Sequence, residues 1–522
     1  MRCDLEDVAA GSVFDSDVCV VGGGVAGLIL ARKLARSGKT VHLLEAGGLK
    51  DEARSQDLYA TEMLGRNYRG TTEGRFRLFG GSSTRWAAQL LPYPDEIFEP
   101  RPAVNHIGWP ISGKDLAPYY GEVHELMQAN NLPFDQSFLQ AVGAAPYPES
   151  EAIRVRFSKW APISRRNLGY TVGRDCLASD KVTVFLHANA LALRFSPQGE
   201  TVTELAAVNY RGQTATFRAR HFVLSAGTQE VSRLLLNSLQ LAPATANHFH
   251  DQVGRYFFDH NVASGGTVPA RALAAYNRHF APYYRQRNLH TPRFETSVAH
   301  QQKTGTLAVM AHFEIEEVEG TGLGVFRRAL QDIQKGQLGR NQKLSALPTA
   351  LWGAAHAIYD LKVRGRRIPS PEARLSLRFD VEQQPDPDSR LSLADELDAI
   401  GIPKLRLDYR RSDEEARALF TFASPMNAFL KSTGLELDWR PGFLDDVTPW
   451  KSTGTDLFHP MGGARMGLNP HTSVVDPQLQ VHGVDNLSIA SCATYPTGGS
   501  SNPTYSLMAL SLRMAERLAK LA

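Results

Sequence analysis

Hydrophobic positions change their spacing three times within the first fifty residues. Residues 17–21 (DVCVV) form a short, β-branched apolar run bounded by glycines, the pattern of a buried parallel strand. A glycine cluster, GGGVAG, follows. LILARKLARSG then places apolar residues at helical spacing and closes on Gly38. A second strand, TVHLLEAGG, carries Glu45 near its end. Strand, turn, helix and strand thus come in the order of a mononucleotide-binding unit. Further along, HFVLSAGTQEVSRLLLNS (221–238) reads as a strand, then Ala226–Gly227, then an amphipathic helix. RLSLRFDV (374–381) and KLRLDY (404–409) alternate as strands of one sheet, and TYSLMALSLRMAERLAK (504–520) is an apolar helix.

Size and charge narrow the classes. A chain of 522 residues exceeds one simple core and predicts two domains. The formal net charge of +3 leaves no electrostatic footprint for nucleic acid. Cys3, Cys19, Cys176 and Cys492 show neither CxxC nor metal-ligand spacing, so scattered thiols are expected, with no metal site and no disulfide framework. The apolar run at 18–31 is broken by glycines and preceded by Asp4, Glu6, Asp7, Asp15 and Asp17, the wrong sign for a secretory leader. It is also too short to span a bilayer. A cytoplasmic protein is the expectation, with export alongside a partner subunit as the alternative.

Gly22, Gly24 and Gly27 stand in GxGxxG spacing, with Glu45 eighteen positions beyond. Gly22 permits the tight turn, Gly24 lets backbone approach a pyrophosphate, and Gly27 lets helix lie on strand. The helix N-terminus offers unpaired N–H groups to phosphate, and Glu45 would accept from a ribose diol. A glycine-rich turn of an unrelated α/β domain is the competing reading. The fingerprint alone leaves NAD and FAD both open.

RLFGGSSTRWAAQ (77–89) and the C-terminal segments FHPMGGARMG and SSNPT supply the rest. With GWPISGKDLAPYY (108–120), VGRYFFDHN (253–261) and QQPDPDSRLSLADELDAIGIP (383–403), the chain resembles the glucose–methanol–choline (GMC) family of FAD-dependent oxidoreductases. The blocks follow the family order and cover all but about 265–375. STRW at 83–86 is similar to the flavin loop of the pyranose oxidase-like branch that oxidises sugars. Several of those proteins carry a flavin-linked His where this chain has Arg85, so the resemblance implies non-covalent FAD. It also implies that Gly80, Gly81, Ser82, Ser83 and Thr84 line the isoalloxazine. On the same basis, Ala46 would contact the cofactor, and the strand around His187 to Ala190 would touch its adenine side. Ala226, Gly227, Ser491, Pro503 and Thr504 complete the expected cofactor contacts.

Oxidising an alcohol removes a proton from oxygen and a hydride from its carbon, and an imidazole titrates near the working pH. By resemblance, His459 is the base and Asn502 the group that orients the substrate oxygen. A turn-holding His and a helix N-cap followed by Pro at N1 are the bland readings of the same two residues. The C-terminal helix, if its N-terminus faces the flavin's pyrimidine edge, would favour the anionic reduced flavin. Two positions depart from the family pattern. Gly463 replaces a common Thr and would loosen the loop, and SIASCA (488–493) lacks the usual aspartate, leaving Ser491 as a hydrogen-bond donor.

The expectation is therefore an α/β, overall α+β, flavoprotein of GMC fold. Its Rossmann-type FAD-binding domain comes from 12–94, 181–262 and 451–522, and its sheet-plus-helix substrate domain from 95–180 and 263–450. The reaction expected is oxidation of a primary or secondary alcohol, a sugar or glycoside, with oxygen, quinone or a cytochrome reoxidising the flavin. A hydroxynitrile-lyase-like enzyme using FAD structurally is the alternative. Trp86, Gln89, Trp450 and His260 are either substrate-facing or packed in the core. A helical insertion at about 325–367 carries nine Lys/Arg against Asp332 and Asp360. It reads as a solvated element or as a docking surface for a membrane or partner protein.

Overall fold

The computed structural model describes residues 1–104, 108–242, 249, 251–318, 320–335 and 347–521. Three sheets organise the chain. The first has a parallel centre in the order Arg2–Asp4, Val182–Leu186, Val41–Leu44, Ser12–Val21, Thr214–Leu224, with Leu487–Ile489 also parallel to the last. Val18, Cys19, Val20 and Val21 are buried, as are Leu43 and Leu44 on one neighbouring strand and Phe222, Val223 and Leu224 on the other. Both faces of this sheet are covered, which is why its strands read as unbroken apolar runs rather than alternations. The Val25–Arg36 and Thr504–Ala519 helices pack together against it, so the two ends of the chain share one core. This is the Rossmann-type α/β layer that the N-terminal pattern predicts.

The second sheet is antiparallel and nine-stranded, centred on His260–Thr267, Arg374–Glu382, Val309–Glu316, Asn288–Thr296 and Ile153–Trp160. Its alternating strands bury one face beneath the Glu414–Ser432 helix, around Phe294, Phe379, Phe422 and Trp450. Gln89–Leu90, His260–Thr267 and Thr455–Asp456 belong to this sheet, so each of the three segments expected to form the FAD-binding domain contributes a strand to it. KLRLDY behaves differently from the expectation of a single roofing sheet. Pro403–Tyr409 pairs with Arg390–Leu397 and, in parallel, with Thr61–Gly65, making a separate three-stranded sheet. Its alternation encodes a half-buried strand but not which partner covers it.

The basic insertion forms two helices, Gly322–Lys335 and Leu347–Tyr359, as the sequence predicts; Arg340 and Lys343 lie outside the described residues. The helices meet closely, since a Cβ on Gly353 would stand 1.9 Å from the carbonyl oxygen of Gly322. Among the described residues, no helix is long and apolar enough to cross a membrane.

Candidate active site

A long cavity opens at the carboxyl ends of four parallel strands of the first sheet, where Val21, Leu44, Ser225 and Ala490 line it. Ligands bind at such strand ends because the turns there present free backbone groups. Counting its open mouth, the cavity holds about 1520 Å³ of empty space.

The N-terminal turn builds one wall. Gly22 has φ +107°, and a Cβ on it would meet the Ala226 Cα at 2.7 Å. A Cβ on Gly27 would stand 1.9 Å from the Gly22 oxygen, so only glycine lets the helix lie on this turn. Nothing lies within 4 Å of the corresponding point on Gly24, which faces the cavity. The open side of Gly24 and the amides that start the Val25–Arg36 helix form a cradle suited to a diphosphate. Glu45 is buried beside it. Its carboxylate accepts from Gly23 N–H (2.9 Å) and Gly47 N–H (2.8 Å). Burial raises its pKa while those N–H groups lower it. Ala46, Ala190, Ala226 and Gly227 continue the same wall.

Of the loop at 80–84, Gly81 and Ser82 line the cavity. The other three residues hold the loop from behind, rather than lining the cavity as the resemblance implies. Gly80 has φ +102°, Ser83 Oγ donates to the Gly80 carbonyl and accepts from Leu168 N–H, and Thr84 Oγ1 donates to the Gly81 carbonyl. A 3₁₀ turn of four residues cannot present every side chain to one side, and the small hydroxyls satisfy its backbone. Arg85 points away and pairs with Asp51.

At the far end stand Ser491, Pro503, Thr504 and His459. His459 sits on a turn held by several ties. Thr228 Oγ1 donates to the Pro460 carbonyl (2.7 Å), and Met461 bridges to Phe258. Gly462 and Gly463 have φ of +75° and +91°. A Cβ at Gly463 would stand 2.6 Å from Ser232 Oγ. The expected loosening at Gly463 is therefore reversed: this turn requires glycine there, and Gly254 N–H donates to the Gly463 carbonyl at 2.7 Å.

The imidazole of His459 is half-buried between two partners. Asn502 Nδ2 lies 3.2 Å from Nε2, and His260 Nδ1 lies 3.1 Å from Nδ1. His260 Nε2 is 3.3 Å from the Gly498 carbonyl. An amide nitrogen only donates, so the network assigns the lone pair of His459 to Nε2 and its proton to Nδ1. That proton then faces the lone pair on His260 Nδ1, and the His260 proton on Nε2 meets the carbonyl. All three contacts are satisfied by one arrangement. Burial, reinforced by His260 and Arg378, holds the His459 pKa well below its ordinary 6.5, leaving a neutral base. Asp259 anchors both histidine backbones. Its Oδ1 accepts from His260 N–H (2.6 Å) and His459 N–H (2.8 Å), and its Oδ2 accepts from Tyr68 OH (2.7 Å). Burial pushes this carboxyl up to about 7.

Asn502 does not cap the C-terminal helix as the sequence suggests. The helix begins at Thr504 with Pro503 in the cap position, and the Asn502 amide turns to His459. Of the four substrate-facing candidates, His260 joins the site. Gln89 is buried against Ser158, and Trp450 donates to the Phe443 carbonyl inside the second core. Trp86 donates to the Arg166 carbonyl and lines another chamber. His187, placed near adenine by the resemblance, is instead bonded to Asp4 and Glu52.

Sequence reasoning missed a buried charge cluster on the cavity wall. Arg75 and Arg77 reach Glu230 at 3.0 and 3.2 Å. Burial raises the Glu230 pKa, but Arg233, Arg77 and Arg75 overcome it and hold the carboxyl at about 2. The buried Nε of Arg77 has no hydrogen-bond partner among the described residues. The only sequence hint is two arginines alternating with Phe76 just before the glycine loop.

These features fit an elongated dinucleotide: a diphosphate cradle, a carboxylate at one end and a neutral imidazole at the other. Residues 17–263 match the family described as FAD dependent oxidoreductase, and residues 385–511 match GMC oxidoreductase. The fructose dehydrogenase large subunit of Gluconobacter japonicus is 22% identical, covering 96% of this chain and 97% of its own. The 6'''-hydroxyparomomycin C oxidase of Streptomyces lividus is 26% identical, covering 99% and 93%. Among solved structures, pyridoxine 4-oxidase from Mesorbium loti shares the fold with a TM-score of 0.54 at 18% identity, over 96% of this chain and 98% of that one. Taken with the cradle and the histidine site, these matches make the chain an FAD-dependent oxidoreductase of the GMC family.

Proposed function

We propose that the protein oxidises a primary or secondary alcohol carried on a sugar or glycoside, with His459 as the base and Asn502 as the orienting group. The observation that carries this reading is the neutral, half-buried His459 on the cavity wall, whose Nε2 lone pair meets the Asn502 amide. A substrate hydroxyl bridging the two would give its proton to Nε2 and accept from the amide N–H. FAD, when bound, supplies the acceptor that takes the hydride at N5. Gly22, Gly24 and the start of the first helix would hold its diphosphate, Glu45 its ribose, and Gly81 and Ser82 the ring system. The N-terminus of the Thr504–Ala519 helix, lining the cavity through Pro503, Thr504 and Leu507, favours negative charge there. Arg85 faces away from the cavity, which supports non-covalent retention. The sugar class rests on the flavin-loop resemblance and on relatives named for fructose and hydroxyparomomycin C.

Anaerobic titration with a panel of mono- and oligosaccharides tests the reading. A substrate bleaches the flavin, whereas a lyase would leave it oxidised. His459→Ala should slow bleaching by about 10²–10⁴-fold while flavin stays bound. Unchanged bleaching in that variant would dispose of His459 as the base.

The helical insertion supports a second proposal, docking on an anionic lipid leaflet. Its two acids, Asp332 and Asp360, are buried, so every exposed charge on its described residues is positive. Beside them Leu351 and Trp352 are 65% and 69% exposed, and Ile358, Tyr359 and Val363 are exposed as well. An exposed apolar stretch with Lys362 and Arg364 close in sequence suits an acidic membrane surface. Vesicles containing phosphatidylglycerol should sediment the intact protein and lose the Trp352→Ser/Ile358→Ser variant. Equal sedimentation of both proteins, or loss of a self-associated species in that variant without vesicles, would overturn it.

A further inference from the structure

A second chamber lies under the helical insertion and beside the loop that follows Ser82. Counting its mouth, it holds about 2220 Å³ of empty space, more than the cofactor cavity. One part of its wall is apolar and aromatic, with Trp86, Trp160, Phe326, Leu330 and Ile368. Another part is cationic. Arg85, Arg166, Arg287, Arg327, Lys335 and Arg367 line it, against two acids, Glu317 and Asp360.

Part of this charge is compensated: Arg85 pairs with Asp51, which lies outside the lining, and Glu317 offsets some of the charge of Arg367. Asp360 is already paired with Arg364 at 2.9 Å, outside the chamber lining. The nearest polar partners of the inner guanidiniums are carbonyls: Arg327 Nη1 donates to Ile315 (3.0 Å) and Arg166 Nε to Ala161 (3.0 Å). No ion pair joins Arg166, Arg327 or Arg367 to a carboxylate among the described residues. Burial, and then the charge of Arg327, pushes both Arg166 and Arg367 down to about 10. A guanidinium is held in such a place at a cost in stability that a bound anion would remove.

We propose that this chamber binds an anionic amphiphile, a phosphate or carboxylate head on a hydrocarbon or aromatic body. The head would lie among Arg166, Arg327 and Arg367, and the body against Trp86, Trp160 and Phe326. Bidentate guanidinium contacts suit both head groups. Trp86 stands in the segment that continues directly from Gly81 and Ser82, so a ligand here touches the support of the cofactor wall. The site makes no use of His459 and is independent of the alcohol chemistry proposed above.

FAD-loaded enzyme titrated with octyl phosphate tests it, followed by calorimetry and by tryptophan emission, since Trp86 and Trp160 line the site. Saturable binding is expected, with a change in emission and weakening at high salt. Octanol and inorganic phosphate, each lacking half of the ligand, should bind at least about tenfold more weakly. Arg327→Gln and Arg367→Gln should each weaken octyl phosphate by about tenfold or more, the loss of one charge-assisted contact. Arg327 is the safer substitution, because its side chain is partly exposed. Octanol binding as tightly as octyl phosphate would show that the charge does not select the ligand. Equal binding of inorganic phosphate would remove the amphiphile. Unchanged affinity in both folded variants would move the site elsewhere. Any of these three results overturns the proposal.

Discussion

Replacing His260 isolates the arrangement that holds the base. In His260→Phe the ring volume is kept, but His459 Nδ1, now 3.1 Å from an accepting nitrogen, loses its partner. Two outcomes remain for that proton. It can stay on Nδ1 unpaired in a buried site, or move to Nε2, where it faces the Asn502 N–H and removes the lone pair that chemistry needs. Leaving one buried polar group unsatisfied costs about 1–3 kcal/mol. At 1.36 kcal/mol per factor of ten, that is roughly a five- to 150-fold loss in rate. His260→Asn is the matched control. Its Oδ1 can take the place of ring Nδ1 as acceptor, and it gives up only the 3.3 Å contact to the Gly498 carbonyl, so it should stay within about tenfold of wild type. The assay is anaerobic stopped-flow bleaching with the best sugar of the panel, scored as limiting rate and half-saturation separately. His260 acts through His459, so the limiting rate should fall while half-saturation holds. His260→Phe bleaching at the wild-type rate would refute the reasoning. So would equal losses in the Phe and Asn variants, which would assign His260 to packing alone.

Other expectations follow from the same geometry. Gly27→Ala forces a methyl to within 1.9 Å of the Gly22 oxygen, a backbone clash that only a helix shift relieves. It should cost about 1–3 kcal/mol or more and lower flavin per protein after gel filtration; full flavin content would contradict the packing role. Asp259 has a folded pKa of about 7 against an ordinary 3.8, so the folded protein keeps a proton that the unfolded chain releases. Its contribution is full below about pH 4, declines as pH rises to 7, and is flat above, a total on the order of 4 kcal/mol. The stability of wild type relative to Asp259→Asn, from urea unfolding, should thus be greater at pH 5 than at pH 8; a difference that does not move with pH would show the carboxyl to be ionised throughout. His459, held neutral well below pH 6.5, should give no acid limb in kcat/KM near that pH, and a limb centred there would mean that the site is wetter than its burial implies.

Local chemistry made the cofactor end legible. The turn at Gly22, the contact at Gly27 and the acid at Glu45 lie within one strand–helix–strand unit, where the spacing of glycines and apolar residues is itself the geometry. Residues 17–21 announced a strand covered on both faces because such a strand has no solvent side to alternate toward. The C-terminal helix was equally plain, although its cap was read as Asn502 rather than Pro503. Asn502 and Pro503 make a plausible cap and first turn until a distant imidazole competes for the amide. Pairings across the fold left no such trace. His260 and His459 meet from segments 199 positions apart, and Arg75, Arg77 and Glu230 gather from two more. No period or spacing along the chain encodes these contacts, because they arise only when sheets from different segments pack. The same holds for Gly463, whose turn is closed against Ser232 on the distant Thr228–Gln240 helix, and for the cationic chamber, whose walls come from several separated parts of the chain. Short-range steric rules wrote the nucleotide fold into the sequence; the proton arrangement at the base and the second cavity depended on which surfaces long-range packing brought together.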